Sequence, residues 1–230
     1  VAVAKDAIGT DSSIPLTANA SGNYTALNVV SNTNGAILVL TTAADLTNAN
    51  NNALSSVTGY TKIGTATSSD LTVRCELWGK VGNSTGAQTI VVTAASTWVG
   101  NTPVVVAAIS VIGANQTGGV TTFANFAANT GTSNAPSTGA ITTSTSDLVA
   151  AVMAVQDTIN SGSATSIYLD NATNPSCAAQ YEQNGASPQT LTWSDAGSVP
   201  WAVAAVDIVG AGGAATVVSS TPRLLMGVGI

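Results

Sequence analysis

Charged residues that favour helices are almost missing from this chain, and nothing constrains its fold more. Glutamate occurs only at Glu76 and Glu182, and lysine only at Lys5, Lys62 and Lys80. The apolar runs are short stretches of Val, Ala, Ile and Leu, broken by Gly, Asn, Ser, Thr or Pro. β-Branched residues lose side-chain freedom in a helix and fit a pleated surface, so such runs favour strands. Six segments have strand length and turn-residue boundaries: Ala36–Thr42, Leu71–Gly79, Gln88–Ala94, Val104–Gly113, Leu148–Val155 and Trp201–Val209. Tyr24–Val30, Tyr60–Ile63, Ile167–Leu169 and Gln189–Trp193 have weaker patterns of the same kind. Their spacing predicts an all-β fold, an antiparallel sandwich whose connections cross between sheets.

Within Leu71–Trp78 the side chains alternate, which predicts Leu71, Val73, Cys75 and Leu77 facing the core. Arg74, Glu76 and Trp78 then face outward or toward a neighbour. Ile37–Leu40, Val104–Ala108 and Val149–Val155 are instead nearly continuous apolar runs, expected where a strand is covered on both faces. The polar stretches Thr47–Ser56, Thr117–Ser146 and Thr158–Ser166 read as loops, and no internal repeat of fixed period is visible. The chain divides into a polar N-terminal arm (1–21), a β-sandwich (22–209), and a Gly-rich hinge with an apolar C-terminal tail (210–230).

Only 7% of the residues are charged, against about 25% in an ordinary globular domain. Hydroxyls and amides must therefore solvate the exterior, which suits packing against copies of itself or persistence outside a cell. The net charge is −6, and the five basic residues are scattered. Neutralising several phosphates takes a basic stripe, so neither nucleic acid nor an anionic membrane is an expected partner. No apolar run approaches the roughly 20 residues that span a bilayer. Val1–Asp6 lacks the basic and apolar regions of a secretory signal, so the expected routes outward are a signal removed earlier or release within a particle.

With no histidine, Ser-His-Asp and Cys-His catalysis and His-ligated metals are excluded. Cys75 and Cys177 admit two readings, a disulfide or two free thiols, and cannot build a structural zinc site alone. Glu182 and Asp195, near Tyr181, Trp193 and Trp201, are the acid pair that would suit glycoside hydrolysis if about 5–9 Å apart. Asp45, Asp70, Asp170 and Asp195 carry the oxygen donors calcium takes, without its ligand spacing. The expectation is a non-enzyme without catalytic residues, metal or cofactor. Sequons at Asn19, Asn23, Asn83, Asn115 and Asn171 are what so Asn-, Ser- and Thr-rich a chain contains by chance.

Binding candidates are aromatic and apolar. Trp193 and Trp201 read as core residues, whereas Trp78 and Trp98 are candidates for a sugar-stacking or subunit-contact surface. Leu224, Leu225, Met226, Val228 and Ile230 form an apolar terminus after the Gly-rich hinge. Left in solvent it would promote aggregation, so it is expected to dock on its own domain or on a neighbour.

Several motifs in order carry a resemblance: Gly35-Ala36-Ile37-Leu38-Val39-Leu40, Gly59-Tyr60-Thr61-Lys62-Ile63-Gly64, Val73-Arg74-Cys75-Glu76-Leu77-Trp78, Thr89-Ile90-Val91-Val92-Thr93, Val106-Ala107-Ala108-Ile109-Ser110, Asp147-Leu148-Val149-Ala150-Ala151-Val152 and Trp201-Ala202-Val203-Ala204-Ala205-Val206. Over about residues 22–209 this succession resembles extracellular and virion-associated jelly-roll-like β-sandwich domains of tailed-phage structural proteins and bacterial surface proteins. A departure is Ser110-Val111-Ile112-Gly113, where that family often has an aromatic residue followed by Gly-Val-Asp. The resemblance implies a jelly-roll-like sandwich with extended N- and C-terminal arms. It also implies a virion-surface homo-oligomer, a capsid decoration or appendage of a tailed bacteriophage, whose partners are its own copies and other particle proteins. The alternative is a cell-surface adhesin or filament subunit that binds glycans or polymerises by strand exchange.

Overall fold

The computed structural model describes residues 1–15, 22–32, 35–45, 48–95, 103–172, 175–183, 185, 187–195 and 197–212. The first half of the chain supplies β1 (Ala4–Pro15), β2 (Gly22–Ser31), β3 (Gly35–Ala44), β4 (Leu54–Val57), β5 (Thr61–Thr67), β6 (Val73–Asn83), β7 (Gly86–Ala94) and β8 (Pro103–Ile112). The second supplies β9 (Phe123–Gly131), β10 (Leu148–Val155), β11 (Ile159–Gly162), β12 (Thr165–Asp170), β13 (Ser176–Gln183), β14 (Trp193–Asp195) and β15 (Trp201–Ile208). Among the described residues there is no α-helix, and the strand pairings are antiparallel.

The strands make two five-stranded sheets, ordered β1-β8-β3-β6-β5 and β12-β13-β10-β15-β9, a three-stranded sheet β2-β7-β4, and the pair β11-β14. They stack in layers. One face of each five-stranded sheet meets the other in a central core that includes Leu38, Leu40, Leu77, Ile109, Val152 and Val206. The opposite face of the first sheet packs on β2-β7-β4 through Ile37, Val39, Trp78 and Ile90. The opposite face of the second packs on the β11-β14 side through Met153, Ile159, Trp193 and Val203. Strands β3, β10 and β15 are therefore buried at every position. That burial is why their sequences are continuous apolar runs rather than alternating ones.

The alternation read in β6 has the expected register: Val73, Cys75 and Leu77 enter the central core. Arg74, Glu76 and Trp78 take the other face, but they are buried, not solvent-facing, because β2-β7-β4 covers them. Leu71 corrects the reading: it precedes β6 in a turn with φ +63° and is 39% exposed. Hydrogen bonds from Ser68 and Thr72 to Asp70 hold that turn. The stretches read as loops contain β4, β9 and β11. The segment read as an N-terminal arm supplies β1, paired with β8 at the sheet edge, and Val3 is in the central core.

The two halves repeat one plan. Replacing β1, β8, β3, β6 and β5 by β9, β15, β10, β13 and β12 turns one five-stranded order into the other. The covering layers agree as well: β2-β7-β4 corresponds to residues 137–141, which bridge residues 189–192, then β14, then β11. Irregularities fall at matching places. A bulge at Ile63 lies between the pairs Lys62↔Trp78 and Gly64↔Leu77, and one at Ile167 lies between Ser166↔Gln180 and Tyr168↔Ala179. In this register Cys75 corresponds to Cys177, and Val106-Ala107-Ala108-Ile109-Ser110-Val111-Ile112-Gly113-Ala114 to Val203-Ala204-Ala205-Val206-Asp207-Ile208-Val209-Gly210-Ala211. The chain thus contains an internal duplication without a fixed period, its halves packed through equivalent sheet faces.

Candidate functional site

Trp78 is 5% exposed, so it is not the surface platform read from sequence. Its indole donates to Glu76 Oε2 at 3.1 Å, and the Lys62 ammonium lies 5.0 Å from its ring centre. Glu76, itself buried, accepts ion pairs from Arg74 at 2.7 Å and Lys62 at 3.0 Å. The aromatic ring and the charges satisfy one another beneath the covering sheet, as buried charges must. Trp193 and Trp201 are core residues as expected, each 4% exposed. Trp98 and the apolar terminus Leu224, Leu225, Met226, Val228 and Ile230 lie outside the described residues.

The acid pair is not assembled. Glu182 lies opposite Val149 and Asp195 beyond the Val155 end of β10, roughly 20 Å away by strand rise. Asp195 instead sits near Asp157, and burial, then that neighbouring charge, raises its pKa. Cys75 and Cys177 are both buried and are not joined in a disulfide. Burial pushes the Cys75 thiol well up, and its Sγ donates to the Ala202 carbonyl at 3.3 Å. Among the described residues no three His, Cys, Asp or Glu side chains come together.

A second buried acid, Asp207, lies on β15 near Asp147. The Thr143 hydroxyl donates to Asp207 Oδ1 at 2.8 Å, while Asp147 accepts from the Ser144 hydroxyl at 2.7 Å and the Gly210 amide at 2.8 Å. Burial pushes the Asp207 pKa up to about 6, with Asp147 adding to the effect and the Thr143 hydrogen bond opposing it. These bonds tie the 143–147 segment to the end of the second sheet.

A concavity lies elsewhere, between β12 and the β11-β14 pair. It is a cavity of about 240 Å³ with Gln180 and Trp193 in its floor and Ser161, Ser166 and Leu169 at its exposed rim. The duplication accounts for it. Where the first half has Tyr60, Lys62 and Trp78, the corresponding positions of the second are Ala164, Ser166 and Gln180. Trp193, standing where the first half has Val92, refills only part of that volume. The Gln180 amide is fixed from both ends, accepting from the Ala164 N–H at 2.9 Å and donating to the Thr192 carbonyl at 3.0 Å. Gly162 makes this possible, since a Cβ there would lie 2.3 Å from Gln180 Oε1. Sequence reasoning missed this site because none of its residues forms a motif. Only alignment of the two halves marks Gln180 as the place of a missing tryptophan. No protein-family model, curated protein or solved structure matches this chain.

Proposed function

We propose that the chain is a non-enzymatic structural subunit of a virion surface, a capsid decoration or appendage protein of a tailed bacteriophage bound as a homo-oligomer. The observation that carries this reading is the duplicated body. The order β1-β8-β3-β6-β5 facing β2-β7-β4, which the second half repeats, supports reading each half as a jelly-roll-like sandwich, an architecture used for capsid and lectin domains. The charge-poor exterior of hydroxyls and amides supports the proposal, being suited to packing against copies. A second reading, a cell-surface adhesin or filament subunit, is favoured by the cavity beside Trp193.

Since the first residues belong to the body, the C-terminal tail is the attachment element this reading needs. Burying several of Leu224, Leu225, Met226, Val228 and Ile230 would stabilise a contact by roughly 1.5–3 kcal/mol each. Electron microscopy of the native assembly tests the proposal: density on a phage particle is expected, and density on cell-borne filaments would select the second reading. Deleting Thr221–Ile230 should leave the circular dichroism of the body unchanged and weaken self-association or particle binding at least tenfold, that is by about 1.4 kcal/mol or more. Undiminished assembly of the truncated chain would move the attachment surface onto the sandwich faces.

A further inference from the structure

The cavity over Gln180 lies in the second half, although both halves follow one plan. In the first half the corresponding space is filled: Trp78 is buried, Lys62 lies over its ring, and Tyr60 is half-buried against the same core. Protein interiors are close-packed, and a void left by trading large side chains for small ones costs stability unless the site collapses or something occupies it. Here collapse is blocked. Gln180 is pinned to the Ala164 and Thr192 backbone, and the Ser161 hydroxyl is paired with Ser194 at 3.0 Å.

The lining specifies the occupant. None of the residues lining it is charged. The indole of Trp193 and the Leu169 side chain offer apolar surface, while Ser161, Ser166 and the second N–H of the Gln180 amide offer hydrogen bonds. At about 240 Å³, the space is smaller than the roughly 300–1,000 Å³ pockets of drug-sized ligands, so it suits one ring. An uncharged ring with apolar C–H faces and a hydroxyl-bearing edge matches this pattern.

We propose that the cavity over Gln180 and Trp193 is a binding site for a single neutral pyranose, the exposed terminal sugar of a glycan. Ser161 and Ser166 contact the sugar hydroxyls at the rim, the Gln180 amide reads the inner edge, and Trp193 supplies the apolar floor. The site resides in the second half, and it does not depend on whether the body is carried by a particle or by a cell.

The test is titration of the ¹⁵N-labelled full chain with glucose, galactose, mannose, N-acetylglucosamine and N-acetylgalactosamine, following the amides of Gly162 and Ala164. Sialic acid and cyclohexanol serve as charged and non-sugar controls. At least one neutral sugar should shift these amides with a dissociation constant of about 1 mM or tighter. Ser166→Phe, a change at the exposed rim, should weaken that binding at least tenfold while leaving the circular dichroism unchanged. Gln180→Trp, which restores the residue of the first half, should abolish it. The proposal is overturned if no neutral sugar moves these amides, if either control binds equally well, or if Ser166→Phe binds undiminished.

Discussion

Asp207 shows how one residue can set a pH dependence in a chain with few charges. Below its ordinary pKa of 3.8 the carboxyl is neutral in both the folded and the unfolded chain. Between there and about 6 the folded chain holds a proton that the unfolded chain has lost, so stability falls as pH rises. Above that range the penalty is constant, on the order of 2–3 kcal/mol. Asp207→Asn keeps the shape and an oxygen for Thr143 but removes the ionisation. The variant should be more stable than the natural protein at pH 7 and should lose the decline between pH 4 and 6, as measured by urea unfolding at each pH. At this scale the sequence was partly legible. Strict alternation placed Val73, Cys75 and Leu77 correctly, because a pleat leaves no freedom in which face a residue takes. Trp78 was misread because its exposure depends on a sheet contributed by residues distant in the chain.

Elements were legible where they lie centrally and obscure at the edges. Strands β3, β8, β10 and β15 announce themselves as apolar runs because both their faces are buried, whereas β4 and β11 are only four residues long and β9 is half-buried or exposed along most of its length, its apolar residues broken by asparagines. Strand β9 is nonetheless seated closely. The ring of Phe123 lies where a Cβ on Gly79 would come within 2.4 Å, and the ring of Phe126 lies where a Cβ on Gly64 would come within 2.3 Å. The residues corresponding to Gly64 and Gly79 in the second half are Tyr168 and Tyr181, so the glycines mark where β9 crosses onto the first sheet. Gly79→Ala should therefore cost about 1–3 kcal/mol by overpacking. Adding Phe123→Leu should recover part of that loss in a double-mutant cycle of urea unfolding, whereas additive losses would show that the two positions do not meet.

At the scale of the molecule, the duplication was written in the sequence but not at a constant interval. Loops in the second half are shorter, so the distance between corresponding residues changes from strand to strand and a periodic search passes over it. Outward-facing positions have diverged, and the likeness survives in largely buried stretches such as Val106–Ala114 and Val203–Ala211. The two ends of the body also meet: the amino group of Val1 donates to the Ala211 carbonyl at 2.6 Å. Residues 113–122 link the halves at the other junction. A circular permutant of the body, opened between Thr117 and Gly118 and closed from Gly212 to Val1 through a few glycines, would present the halves in reverse order. It should fold to the same circular dichroism spectrum and unfold within a few degrees of the natural order, since no strand pairing crosses the cut. If the permutant fails to fold, the first half must guide the second as the chain forms, and the order of the halves belongs to the folding route rather than to ancestry alone.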